Sequence, residues 1–394
     1  MANSSLAYRA VPWLLVLFAF FTPFSIAGAH ISLALATVAV VVAPEGRREL
    51  AAFGRERLAL ALGLWTLASV VAVVFAVDPG ASAEKLKKIA LIPLIPLAAL
   101  AASRERIRPM LGALIASTAI VSAWGLVEFL QAGGGLGARL RGISGFYMTV
   151  AGILMIVGLL VVGVLDAARK DLRPRKGAFL GVCGVLILLA LVATFTRGSM
   201  LGFGVGVLWM LRRRGFLLLG AAAAVIAVLA LGPPTIRETL ASAFDPDHGR
   251  NVERLLIWNH GVDLLQQYPL TGTGLVIPPE LMDVVVETPE GKLRVHSHMH
   301  NVYLQIAVTM GIPALFIFLW LVFEWFRLGV RSARARLHNF WEEGLVAAYP
   351  AILIALLVNG LVEWNFGDSE ILGLFYFLTG TALGVARGAV SPEA

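Results

Sequence analysis

The sequence predicts an all-α polytopic membrane protein with about twelve transmembrane helices. Three observations carry that prediction. Apolar residues make up 58% of the 394 positions and charged residues 14%, where soluble globular chains hold roughly half and roughly a quarter. Apolar runs close to the ~20 residues that a helix needs to cross a ~30 Å hydrocarbon core recur along the whole chain. The two-residue alternation of barrel strands is absent, which excludes a β-barrel.

In order, the spans fall near 11–27, 29–43, 58–77, 89–102, 109–131, 146–166, 178–195, 199–211, 216–232, 301–326, 345–363 and 371–388. Arg9 before the first run and Ala27-Gly28-Ala29 after it resemble a cleaved signal. The further spans behind it favour an uncleaved anchor. No solenoid repeat or low-complexity linker divides the chain, so residues 1–394 read as one transmembrane domain, with 233–300 as an embellished loop.

Orientation follows from the basic residues outside the apolar cores. With a cytoplasmic N-terminus, roughly two thirds of the 32 Lys and Arg fall on the cytoplasmic side, among them Arg47, Arg48, Arg55, Arg57, Arg169, Lys170 and Arg212 to Arg214. Both termini are then cytoplasmic and 233–300 lies outside. Topology also accounts for the net charge of +7 better than nucleic acid does, since no soluble segment interleaves basic and aromatic residues. The single Cys183 sits in an apolar run, where it has no disulfide partner.

Some exterior cations are not required by topology: Lys85, Lys87, Lys88, Arg139, Arg141, Arg197, Arg250 and Arg254. An anionic ligand at the outer face accounts for them, and for the three lysines so does snorkelling to headgroups. Within the loop, Val252 to Tyr268 has an amphipathic pattern with Leu255, Leu256, Val262, Leu264 and Leu265 apolar, ended by Tyr268-Pro269. Arg250, Arg254 and Trp258 are spaced to share one face. Thr271-Gly-Thr-Gly274 is a tight turn, and Val284 to Arg294 carries a hairpin-type turn.

Most of the unexpected polar chemistry collects around His296-Ser-His298-Met-His300-Asn301. Asn301 fits an N-cap for the span that follows, which puts His300 just outside a helix N-terminus. The dipole there disfavours a cationic ring and leaves a neutral imidazole able to accept a proton; a ring that merely caps the helix or meets headgroups fits the same position. His296, His298 and His300 also have the alternate spacing of a zinc site, but no carboxylate stands beside them in HExxH spacing. Arg197 lies in a turn between two apolar runs, where an unpaired guanidinium costs a few kcal/mol, so it is either functional or paired with Glu128 or Glu363. Gly198, Gly202 and Gly206 have the small-xxx-small spacing of a close helix contact. Arg250 and Arg254 can grip a phosphate in a bidentate fork or sit on a solvated face. Trp258 either packs the helix down or stacks on a sugar. Glu363-Trp-Asn365 and Asp368 stand at the outer end of the last spans and shape the same region.

Three of these stretches carry a resemblance. Thr194-Phe-Thr-Arg197-Gly-Ser, Arg254-Leu-Leu-Ile-Trp258 leading to Tyr268-Pro-Leu-Thr-Gly272-Thr-Gly274, and His298-Met-His300-Asn301-Val-Tyr-Leu304-Gln resemble the signatures of the O-antigen ligase and polymerase superfamily, in that order. Arg141-Gly-Ile-Ser-Gly-Phe-Tyr-Met-Thr-Val-Ala-Gly152 resembles the pattern that opens one of its middle spans. The resemblance covers about residues 80 to 385 and implies a GT-C-like, metal-independent, inverting glycosyltransferase of the bacterial inner membrane, with a large periplasmic loop containing short helices and no cofactor. It implies an undecaprenyl diphosphate-linked glycan as donor and a lipid A-core sugar as acceptor, with membrane lipids around them. Carried onto this sequence, it assigns His300, Arg197 and Arg254 to catalysis and Arg250, His298, Trp258, Arg141 and Asn301 to substrate binding. The extra His296 departs from the family pattern, and no acidic companion to the histidine is evident. A polymerase or protein O-oligosaccharyltransferase of the same superfamily shares the donor chemistry and differs in acceptor. A transporter is a different class of reading, but charges are scarce in the span centres and no broken helix pair repeats.

Overall fold

In a computed structural model of the chain, the residues described are 6–102, 106–143, 145–169, 174–212, 249–282, 284–288, 291–295 and 298–388. α1 (Leu6–Phe21) pairs with α2 (Ile26–Val42), and α3 (Pro44–Phe53) turns away from α2 by 102°. Next come α4 (Arg57–Val74), the short α5 (Pro79–Lys85), a 3-10 turn over Leu86–Leu91 and α6 (Leu94–Ala101). Long helices follow in α7 (Ile107–Gln131), α8 (Tyr147–Ala168), α9 (Pro174–Ala193) and α10 (Arg197–Leu211). The loop contributes α11 (Gly249–Gln267) and an antiparallel hairpin of β1 (Val284–Thr288) and β2 (Gly291–Val295), with Val284 opposite Val295. The chain closes with α12 (Val302–Ala333), α13 (Phe340–Asn359) and α14 (Ser369–Gly388).

Among the described residues, α4, α7, α8, α12, α13 and α14 are long and apolar enough to cross a membrane, and the bent α2–α3 pair brings the number to seven. That supports a helical membrane protein and falls short of the twelve spans expected from hydropathy. The expected span 216–232 and most of the loop before α11 lie outside the described residues. The run 89–102 is apolar throughout but divides at Pro93 into a 3-10 turn and an eight-residue helix, because proline withdraws an N–H and blocks the preceding turn. The run from 301 instead continues as a helix of 32 residues to Ala333.

α8, α13 and α14 form the centre, with Ile156, Leu160, Leu353, Leu356, Phe375 and Phe377 fully enclosed. α10 packs on α8 and α13 as the small-residue spacing predicts: a side chain at Gly202 would strike the Ala355 carbonyl, and one at Gly206 would strike Leu159. At one end of the bundle, Glu56 at the start of α4 accepts hydrogen bonds from Arg331 of α12 (2.9 Å) and Arg387 of α14 (3.3 Å). The N-termini of α12 and α14 are therefore at the opposite end, where Thr149 ties the N-terminus of α8 to Asp368 before α14 and Asn359 ties the C-terminus of α13 to the N-terminus of α10 at Ser199.

At that end the loop docks onto a break in α12. Pro313 has no N–H to give, and Gly311 takes φ +83°, so the helix kinks and two carbonyls lose their partners. The Val308 and Thr309 carbonyls accept instead from Thr273 (2.9 Å) and Gly274 (3.1 Å), and the Ile312 N–H donates to Pro269 (2.9 Å). Gly272 (φ +70°) and Gly311 permit this approach, since a Cβ on either would enter the facing backbone. α11 then buries Ile257, Gly261 and Leu264 toward Met299, Leu304 and Val308, forming a second small core. The helix is where the pattern predicts, but its buried stripe is this i, i+4, i+7 set. Leu255, Leu256 and Val262, apolar positions of the same pattern, are 49%, 40% and 46% exposed.

Candidate active site

Arg197 is the first residue of α10, two residues after Phe195, which adopts φ +49°. A left-handed bulky residue is uncommon, and here it turns the chain sharply between α9 and α10. Asn359 at the end of α13 donates to Ser199 (3.2 Å) and Asn365 (2.9 Å), which joins α10 to the turn after α13. Arg254 comes from the first half of α11. The His298–His300 segment is held from both sides at Met299, whose N–H donates to Gln305 (2.7 Å) and whose carbonyl accepts from the Trp258 indole (2.8 Å). As expected, Asn301 caps α12, accepting from the Leu304 N–H at 2.9 Å. His300, just before the cap, sits at φ +46°.

These elements enclose a cavity of about 220 Å³ lined by Arg139, Arg197, Glu253, Arg254, His300, Asn359 and Glu363. A larger cavity of about 880 Å³ lies against it, sharing Tyr147, Met148 and Glu363 in its wall. His298 and Arg141 line the larger one. Its floor is aromatic, with Trp65, Phe318, Trp325 and Phe366, and its upper wall carries Lys85, Lys88, Asp368 and Glu370. Lys88 does not snorkel outward: its ammonium donates to the Gly367 carbonyl.

His300 Nδ1 lies 3.5 Å from Glu363 Oε1, and the two side chains are 19% and 12% exposed. That spacing is an ion-pair distance and exceeds a hydrogen bond, so among the described residues Nδ1 has no hydrogen-bond partner. Burial alone would raise the Glu363 carboxyl, but the two histidine rings outweigh it and hold the group below the usual carboxylate range. His298 is pushed down to about 4 by burial first and then by His300, against the pull of Glu363. Its Nδ1 accepts from the His300 N–H at 3.3 Å. Asp368 is pushed up to about 6, chiefly by burial, although it accepts a 2.8 Å hydrogen bond from Thr149.

The structure thus brings together Arg197, Arg254 and His300, with His298 at the seam between the cavities. Arg141 is in the larger cavity, apart from the other arginines. Trp258 lines neither cavity; its indole holds Met299 in place. Arg250 lies in the first turn of α11, its side chain outside the described residues, as are His296 and Ser297. Glu128 is exposed on α7 and takes no part. Arg139, one of the exterior cations noted in the sequence, leans on the Tyr147 ring at 4.9 Å and lines the smaller cavity; Glu253 lines it too, although the sequence did not single it out. The acidic companion that the sequence did not reveal is Glu363, delivered from the far end of α13. Its signal was a carboxylate at the end of an apolar span, where an ionisable group is costly.

Chemically, three guanidiniums facing one cavity can bind a doubly charged anion in bidentate fashion. A histidine backed by a carboxylate can take a proton from a hydroxyl beside it. Residues 182–319, about a third of the chain from α9 into α12, match the family model for O-antigen ligase. The match contains Arg197, Arg254, His298 and His300 and supports membership of the O-antigen ligase superfamily. No curated protein matches the chain significantly.

Proposed function

We propose that this chain, as a member of the O-antigen ligase superfamily, transfers a glycan from undecaprenyl diphosphate to a lipid A-core sugar at the periplasmic face of the bacterial inner membrane. The observation that carries this reading is the meeting of Arg139, Arg197 and Arg254 with His300 and Glu363 in one cavity. The arginines hold the diphosphate, and the acceptor sugar enters through the larger cavity, whose aromatic floor and polar upper wall suit an amphiphile.

The acceptor hydroxyl attacks the anomeric carbon from the face opposite the diphosphate. The new glycosidic bond forms as the carbon–oxygen bond to phosphate breaks, so configuration inverts. His300 takes the hydroxyl proton on Nε2, while Glu363 stabilises the imidazolium through Nδ1. The departing diphosphate gains charge as the bond breaks, and fixed guanidiniums stabilise it there, a term that usually dominates such catalysis. Metal is not needed for the leaving group in this scheme. The arginine-rich opposite end of the bundle agrees with a cytoplasmic placement of both termini by the positive-inside rule.

A disruption strain tests the reading. A ligase mutant accumulates long lipid-linked glycan and leaves bare core. Core carrying a single repeat unit instead identifies a polymerase, and normal core and donor pools overturn the glycan-transfer reading. Purified protein given lipid-linked donor and rough lipopolysaccharide is expected to form capped product in EDTA.

A further inference from the structure

One ring nitrogen from each of His298 and His300 and a carboxylate oxygen of Glu363 lie within 4.8 Å of one another. The two rings are 4.1 Å apart between centroids. His300 Nδ1 is buried, has no hydrogen-bond partner among the described residues and is directed toward Glu363. Two imidazoles and one carboxylate form a donor set that zinc uses when it keeps a fourth position open. Imidazole donors also favour first-row transition ions over magnesium and calcium.

We propose that His298, His300 and Glu363 bind a first-row divalent ion such as zinc, and that the bound ion inhibits transfer. The inhibitory half rests on His300 acting as the base. A neutral imidazole carries one proton, so a ring that gives Nδ1 to a metal keeps that proton on Nε2 and has no lone pair left for the acceptor hydroxyl. The ion also takes the Glu363 carboxylate that would otherwise stabilise the imidazolium. Two features keep the site weaker than a structural zinc centre. Arg254 is near enough for its charge to reach His298, which opposes a dication. His298 can ligate through Nε2 only as the Nδ1–H tautomer, which gives up the 3.3 Å bond from the His300 N–H.

The experiment uses tag-free full-length protein in detergent, stripped with EDTA and desalted, then titrated with zinc chloride against a chromogenic zinc indicator. One zinc per chain is expected, with affinity at least ~10-fold lower in His298→Gln and in Glu363→Gln, as loss of a ligand implies. Zinc should raise the Tm of the parent protein more than that of either variant. His30→Gln, on the exposed side of α2, should bind as the parent does. Transfer should fall with the same midpoint as zinc binding and recover in EDTA, while magnesium and calcium do neither. Absence of binding, or equal binding in the two ligand variants, overturns the site. Binding that leaves transfer unchanged overturns the inhibition. Because binding is read without turnover, a protein that binds zinc as described but transfers nothing supports the site and tells against the glycosyltransferase reading.

Discussion

His300 and Glu363 face each other at 3.5 Å across two segments that meet only in the folded bundle, one before α12 and the other after α13. A carboxylate behind a histidine fixes which nitrogen carries the proton and stabilises the cation formed when the ring takes a second one. Glu363→Gln keeps the shape and removes that stabilisation. We expect turnover to fall at least ~10-fold, and by less than in His300→Ala, where loss of a general base costs roughly 10²- to 10⁴-fold. Single-turnover measurement with saturating donor checks this. Wild-type turnover in Glu363→Gln would remove Glu363 from the mechanism.

The arginines are expected to act on donor binding. Arg197→Lys and Arg254→Lys keep the charge and lose the planar fork, which is worth about 1.5–3 kcal/mol for one charge-assisted hydrogen bond, or at least ~10-fold in donor affinity. His300→Ala should leave donor affinity nearly unchanged while abolishing most turnover. Donor binding by these three variants, measured apart from turnover, decides the matter. The roles are wrong if His300→Ala loses donor binding and Arg254→Lys retains it.

What could be read from the sequence was set by the range of the interactions. The Asn301 cap, the helix ending before Pro269 and the glycine face of α10 are local patterns, and the structure repeats them. Where the chain folds back on itself, local pattern fails. Hydropathy sees 89–102 as one span because it counts apolar side chains and ignores the backbone break at Pro93. The inward stripe of α11 follows Ile257, Gly261 and Leu264 because Met299 and Leu304 are there to receive it, while Leu255, equally apolar, is left 49% exposed. Local pattern does not tell that Lys88 turns inward to the Gly367 carbonyl, and it puts Glu363 in the region of the histidines without pairing it to His300.

Two partly buried groups give opposite pH slopes. Asp368 titrates near 6 in the folded protein, above its ordinary 3.8, so the folded state holds its proton more tightly and stability falls as pH rises from about 4 to about 6. His298 titrates near 4, below its ordinary 6.5, so its neutral form is favoured and stability falls as pH drops from about 6.5 to about 4. Asp368→Asn retains an oxygen for the Thr149 hydroxyl and is expected to raise Tm at pH 7.5 with little effect at pH 4. His298→Gln should reduce the acid-side loss. Thermal unfolding of both variants across pH 4 to 8 tests the signs. A lower Tm for Asp368→Asn at pH 7.5 contradicts the first.

Topology can be tested with one cysteine at a time, because the native Cys183 is buried and can be replaced by Ala. Leu270 is 71% exposed in the turn beside the site, and Arg336 is exposed beyond the end of α12. An impermeant thiol reagent added to cells with a permeabilised outer membrane should label Leu270→Cys and spare Arg336→Cys until the inner membrane is opened. The reverse pattern would put the site in the cytoplasm and end the case for a periplasmic acceptor.

Trp258 separates a substrate contact from a structural one. Its indole N–H donates to the Met299 carbonyl at 2.8 Å, and Met299 is wholly buried between His298 and His300. Trp258→Phe keeps most of the packing and leaves that carbonyl without its donor, at a cost of about 1–3 kcal/mol if water cannot reach it. The cost falls on the segment that holds His300 at positive φ, so faster amide exchange is expected across 298–300, together with a several-fold loss of turnover. Donor and acceptor affinities should stay near wild type, because the indole lines neither cavity. If exchange across 298–300 is unchanged while affinity for a glycan substrate drops tenfold, the indole stacks on sugar after all, and the His298–His300 segment is held chiefly by the bond from the Met299 N–H to Gln305.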